Sequence, residues 1–147
     1  MTIKSMMNST IVTVEMDDSL QVIKEIFDHT RFHHLLVVES KRLCGIISDR
    51  DLLKAVSPNI GTAAETQRDA VTLNKKAHQI MSRKVITLLP EATVFDAIAI
   101  FNQHNISCIP VVNKQQQPVG VVSWRDILKM IEANYRAQNR VAGHQDQ

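Results

Sequence analysis

The chain has 147 residues, is 44% hydrophobic and 22% charged, and holds 4 glycines and 4 prolines, a composition that excludes disordered, collagen-like and mucin-like polymers. Its 17 basic and 15 acidic residues leave a formal charge of +2, and aromatics make up 4%, which argues against a phosphate-tracking face, base-stacking platforms and nucleic acid as the main partner. No apolar run reaches the length of a membrane span and the opening MTIKSMMNSTIV lacks a basic region followed by an apolar core, so no membrane association and a cytoplasmic location are expected.

Residues 11–14 (IVTV) form a short β-branched run that predicts a strand. Asp17, Asp18 and Ser19 then precede Leu20, Ile23, Ile26 and Phe27, a cap followed by a helical stripe. Apolar runs at 35–38 and 43–47, joined by Ser40, Lys41 and Arg42, predict a hairpin, and a second helix begins near Asp51. A linker over 55–78 follows, broken by Pro58 and Gly61, in which residues 63–77 could form a helix; Arg68, Lys75 and Lys76 make it basic. The order then recurs. Residues 85–88 (VITL) predict a strand, Thr93 caps a stripe of Val94, Ala97, Ile98 and Phe101, and runs at 109–112 and 119–122 make a second hairpin. A last helix runs from near Asp126 toward Tyr135, its Ile127, Leu128, Met130 and Ile131 able to serve either the chain's own core or a neighbouring chain. From Arg136 onward a polar, frayed tail is expected.

A shift of 74 residues superposes Met7 on Met81, Thr13 on Thr87, Phe27 on Phe101, Val37 on Val111 and Val38 on Val112. One added residue in the second copy then aligns Gly45 with Gly120, Ser48 with Ser123, Arg50 with Arg125, Asp51 with Asp126, Leu53 with Leu128 and Lys54 with Lys129. The chain is therefore a duplication, read as residues 5–54, a linker over 55–78, residues 79–131, and an extension over 132–147. A unit of about 50 residues hides only roughly 60% of its unfolded surface, so the halves are expected to pack together.

The copies agree best at Gly45-Ile46-Ile47-Ser48-Asp49-Arg50-Asp51 and Gly120-Val121-Val122-Ser123-Trp124-Arg125-Asp126, a pattern G-h-h-S-x-R-D where a strand hands over to a helix. One reading is a capping box: the Ser hydroxyl accepts an early helical N–H and the Asp three residues on answers. Thr62 with Glu65, Thr66 with Asp69 and Thr93 with Asp96 share that spacing, so spacing alone does not indicate a ligand. The other reading is a nucleotide corner. Unpaired helical N–H groups, a hydroxyl and a guanidinium suit a phosphate, and a carboxylate beside them can accept from the two hydroxyls of a ribose. Both readings use the same residues and are compatible. Cys44 and Cys108, 64 residues apart with no CxxC pair, indicate neither a disulfide framework nor a zinc site, and the histidines form no ligand cluster, so no metal is expected. No nucleophile with its base, no Walker glycines and no metal set is present, so no catalytic residue is assigned and no enzymatic activity is expected.

The doubled strand, helix, strand, strand, helix order, the IPVV run at 109–112 and the twofold G-h-h-S-x-R-D resemble the cystathionine-β-synthase (CBS) domain family. The resemblance implies a mixed α/β (α+β) fold: a tandem pair of CBS domains, each a small three-stranded sheet with two helices, related by a pseudo-twofold axis into a Bateman module that commonly dimerises. It further implies AMP, ADP, ATP or S-adenosylmethionine as a regulatory ligand between the repeats, with no required cofactor. By the same resemblance Asp51 and Asp126 would hold ribose hydroxyls, with Ser48 and Ser123 near ribose or phosphate. The first strands around Thr13, Val14, Thr87 and Leu88 would meet the adenine edge, and apolar residues such as Ile46, Val121, Ile109 and Pro110 its faces. Arg50, Arg125 and one of His33 and His34 would meet phosphate, since adjacent strand residues point to opposite faces. Copy two has Ser107 and Cys108 in place of those histidines, and Pro110 in place of Leu36, so the two sites are expected to be unequal. The functional expectation is a non-enzymatic sensor that acts through a homodimer and an effector protein, with a structural docking protein as the alternative.

Overall fold

The computed structural model describes residues 1–145. Its elements, in order, are β1 (Thr13–Glu15), α1 (Leu20–His29), β2 (His34–Glu39), β3 (Arg42–Ser48), α2 (Asp49–Ala55), α3 (Gln67–Val71), α4 (Ala77–Ile80), α5 (Val94–Gln103), β4 (Cys108–Val112), β5 (Pro118–Ser123) and α6 (Trp124–Gln145). No helix among the described residues is long and apolar enough to cross a membrane. The fold is mixed α+β and repeats itself, as the resemblance implies.

The chain divides into two compact units that are not the two halves of the sequence. One comprises Met1–Thr10, Ile86–Lys114 and Val119–Gln147, the other Ile11–Val85 and Gln115–Pro118. Each repeat is thus completed by the segment that precedes the other repeat. In the unit built on the first repeat, β1 runs parallel to β2 and β2 antiparallel to β3. Val14, Leu35, Val37 and Ile47 turn one sheet face into a core with Leu20 and Ile23 of α1, Leu52 of α2, Ala77 at the end of the linker and Met81 beyond it. Residue 82 closes the sheet edge through two backbone bonds with Ile46, of 3.1 and 2.9 Å. A Cβ at Gly45 would collide with the Met81 side chain, which would then have to shift.

The other unit repeats the design with the N-terminal segment in the role of residues 77–85. Ile3, fully buried, joins Val94 and Ala97 of α5, Ile109 and Val111 of β4, Val122 of β5 and Ile127 of α6 in the core. Asn8 pairs with Val121, and Met7 lies over Gly120, where a Cβ would come within 2.6 Å of its Sδ.

Three expectations are corrected. The strand at 85–88 shrinks to a single parallel bridge, Leu88 with Val111, so the second repeat has a two-stranded sheet and not three strands. In the first repeat Leu36 N–H donates to Val12 O; its counterpart Pro110 has no N–H to give, and the ladder stops one step short. The linker helix over 63–77 is instead the short α3, a 3₁₀ turn at Thr72–Asn74 and the short α4. Thr66 caps α3 from within that stretch, and α3 has no buried residue to extend it by packing. The tail does not fray at Arg136, because α6 continues to Gln145. No proline interrupts it, Ala, Gln and Arg make up six of residues 136–145, and Glu132 pairs with Arg136 one turn on at 2.7 Å. Residues 146 and 147 of that tail lie outside the described residues.

Candidate functional site

Ser48 ends β3 and caps α2. Its backbone N–H donates to Asp51 Oδ2 at 2.9 Å while Asp51 N–H donates to Ser48 Oγ at 3.1 Å, a complete capping box. The second repeat copies it: Ser123 N–H and Oγ donate to Asp126 Oδ2 at 2.7 and 2.9 Å, and Asp126 N–H donates to Ser123 Oγ at 3.2 Å. Thr66 with Asp69 and Thr93 with Asp96 form the same box, whereas Thr62 and Glu65 do not. The bland reading of the pattern is therefore correct as far as it goes.

What sets Ser48 and Ser123 apart is the sheet beneath them. Register pairs His34 with Ser48, Leu36 with Ile46, and Thr13 with Leu36, so Thr13, His34, Leu36, Ile46 and Ser48 share the sheet face opposite the core. Four of these five are residues the sequence nominates. Leu36 is the one it passes over; it is buried but outside the core cluster, and period-two counting from His34 along β2 would have found it. Asp51, half-buried, stands at the end of this face. In the other unit alternation puts Cys108, Pro110, Val121 and Ser123 on the corresponding face, and the same offset matches Thr87 to Thr13. Val14 and Ile109 instead point into the cores, and Leu88 packs against one, which leaves only their backbone groups to face a ligand. Arg50 and Arg125 are exposed in the first turns of α2 and α6.

The two histidines part company. His33 lies just before β2, exposed, with Nδ1 3.0 Å from Asp49 Oδ2, and its carbonyl accepts Asp49 N–H at 2.9 Å. The imidazole bonded to Asp49 holds that carboxyl below its usual range. His34 is half-buried opposite Ser48, and burial pushes its pKa below the usual imidazole value, against the pull of Asp49 and Asp51. Neutral His34 brings no positive charge to the corner at neutral pH. In the second unit Ser107 O accepts Trp124 N–H, matching the His33 to Asp49 link, and Cys108 takes the place of His34. Burial pushes the Cys108 thiol up to about 12, with the Asp126 carboxylate adding to it, so it stays a neutral, unreactive thiol. Among the described residues no group of histidine, cysteine, aspartate and glutamate could hold a metal ion.

Both carboxylates take their bonds on Oδ2, among the described residues, which leaves Oδ1 of Asp51 and of Asp126 to accept from another partner. Asp69 differs, since Ser57 Oγ donates to its Oδ1 at 2.7 Å.

Comparison with known proteins agrees with this architecture. L-aspartate semialdehyde sulfurtransferase of Methanosarcina acetivorans is 28% identical over 135 residues; the match takes in 90% of this chain but only 24% of that enzyme's length. A CBS domain-containing protein of Dictyostelium discoideum is 28% identical over 131 residues, 88% of this chain and 90% of that protein. The crystal structure of the CBS domain pair of protein MJ0100, in complex with 5′-methylthioadenosine and S-adenosylmethionine, superposes with a TM-score of 0.74 at 25% identity over 91% of this chain and 98% of that one. The family model for the CBS domain matches twice, over residues 3–58 and 77–133, and with the fold and the doubled Ser-to-Asp corner it places the chain in the CBS domain family, as a tandem pair.

Proposed function

We propose that this CBS pair is a non-enzymatic, cytoplasmic regulatory module that binds an adenosine-containing ligand at each of its two Ser-to-Asp corners, and that it works as a homodimer on an effector protein. The observation that carries the reading is the half-used carboxylate. Asp51 and Asp126 each spend one oxygen on the helix cap and keep the other at the end of a sheet face lined by a hydroxyl and apolar side chains. That is what two vicinal ribose hydroxyls and a purine require. The ligands of the MJ0100 pair, 5′-methylthioadenosine and S-adenosylmethionine, support an adenosine class with little phosphate. So does the corner of the first repeat, where His34 is neutral and His33 is engaged by Asp49, which leaves Arg50 as the cation a phosphate would have to use. Such a ligand shifts the protein only by its difference in affinity for two conformations, typically about 1 to 3 kcal/mol.

Calorimetric titration with 5′-methylthioadenosine, S-adenosylmethionine, AMP, ADP and ATP tests the reading. A saturable heat is expected with at least one of them, strongest with the ligands that carry least phosphate. Asp51→Asn and Asp126→Asn should each weaken one site by about 1 to 3 kcal/mol, the usual worth of a charge-assisted hydrogen bond. Absence of heat with all five, or parental binding in both variants, would overturn it. The alternative, a structural docking protein, draws on the boxes at Thr66 and Thr93, which show that the geometry forms with no need of a ligand. It predicts no saturable binding.

A further inference from the structure

Two backbone pairs extend the sheet face of each corner past its hairpin. Ile46 and Ser82 exchange N–H to O bonds of 3.1 and 2.9 Å, and Val121 and Asn8 exchange bonds of 3.0 and 2.8 Å. Residues that exchange both bonds across an antiparallel pair put their side chains on the same sheet face. Ser82 therefore stands beside Ile46, and the row Thr13, Leu36, Ile46, Ser82 crosses the sheet in register on the face opposite the core. In the other unit the bridge of Leu88 with Val111 sets Thr87 beside Pro110, and Asn8 stands beside Val121. Each row has an apolar middle and a polar side chain at either end, over three strand spacings, roughly 14 Å. It lies two residues, about 7 Å, before the Ser that opens the corner.

We infer that Asn8 and Ser82 read the edge of the base when an adenosine ligand lies along these faces with its ribose at the corner, and that they make the two corners unequal. Asn8 Oδ1 accepts Thr10 N–H at 3.0 Å, which turns the amide hydrogens away from Thr10. Those hydrogens suit a ring nitrogen of adenine, which is an acceptor. Ser82 brings a single hydroxyl, able to donate or to accept. Both side chains are exposed and neither joins the core of its unit, so losing either bears on binding before folding. Duplication accounts for the positions, 74 residues apart, but not for Asn in one and Ser in the other. The inference rests on the adenosine reading above and names, within it, what meets the base.

Calorimetry of the full chain with adenosine and its 1-, 3- and 7-deaza analogues, each lacking one ring acceptor, tests this. The Asp51→Asn chain reads the second corner and the Asp126→Asn chain the first, with circular dichroism and thermal unfolding to confirm the fold of every variant. Asn8→Asp keeps the side-chain shape and the bond to Thr10 but has no hydrogens to give. In the Asp51→Asn chain it should weaken adenosine about tenfold, and the deaza analogue that Asn8 disfavours should then bind as adenosine does. In the Asp126→Asn chain Ser82→Ala should lose about two- to tenfold. Parental affinity in Asn8→Asp or in Ser82→Ala, with the two corner variants still weakening their sites, would overturn the assignment and leave the adenosine reading standing. Unchanged discrimination among the deaza analogues in Asn8→Asp would overturn it as well, by placing Asn8 away from the base. A parent that binds neither adenosine nor the five ligands above would overturn both readings.

Discussion

Asp51 and Asp126 do two jobs whose costs can be separated, because the chain contains its own control. Asp96 closes the same box on Thr93 and lies exposed in the first turn of α5. Asp96→Ala should cost about 1 kcal/mol of stability, the usual worth of a cap, and leave ligand titrations unchanged. Asp51→Ala should cost a similar amount and also lose ligand affinity, so the difference between the two variants isolates the ribose contact. His34 gives a second residue-scale expectation. Its folded pKa lies below the 6.5 of a free imidazole, so between those values the unfolded chain holds the extra proton. Its contribution is whole above about pH 6.5 and is lost as pH falls toward the folded value. Urea unfolding from about pH 8 down to pH 5 should show stability falling, with a shallower fall in His34→Gln. An identical slope in the variant would assign the acid sensitivity elsewhere.

At the scale of elements, what the sequence disclosed depends on how local the cause is. The boxes at Ser48, Thr66, Thr93 and Ser123 need only a residue and its third neighbour, and each forms where the spacing appears. Thr62 with Glu65 has the spacing and no helix, so even a local rule needs a segment that can be helical. The shortened strand at 85–88 follows from Pro110, but only after the fold makes Pro110 the neighbour that should have donated. The apolar residues of α6 were legible, but not that Ile127 and Met130 meet the core while Leu128 and Ile131 stay exposed, since periodicity cannot say which of two adjacent stripes meets a core. Glycine 45 shows the reverse limit. Its match to Gly120 was plain, but its reason is Met81, brought over it by the linker. Gly45→Ala should cost about 1 to 3 kcal/mol in overpacking, and Met81→Ala in the same chain should recover part of that cost, a coupling read from a double-mutant cycle by denaturant unfolding. Additive losses would mean that the thioether moves aside freely.

For the whole molecule, the exchange of preceding segments decides what can fold by itself. The boundaries at 5–54 and 79–131 follow the repeated sequence, whereas the compact units cut across it: residues 1–10 count with the second repeat and residues 55–85 with the first. Nothing near Ile3 in the sequence announces this, because its partners Val94, Ile109 and Val122 are about ninety or more residues away and its neighbours are polar or methionine. Ile3 is nevertheless fully buried, and its backbone N–H donates to Ala92 O at 2.8 Å while Lys4 N–H donates to Pro90 O at 2.9 Å. Ile3→Ala should therefore cost about 2 to 5 kcal/mol, the range for emptying a buried aliphatic site. A fragment makes the same point more sharply. Residues 86–147 alone lack Ile3, the cover that Met7 gives Gly120 and the Asn8 pairing with Val121, so they should show reduced protection from hydrogen exchange in β4 and β5. Joining residues 1–10 to that fragment through a flexible linker should restore the protection, and the Ile3→Ala form of the joined fragment should not. Equal protection in all three would mean that the second repeat is self-sufficient and that the N-terminal segment merely rests on it.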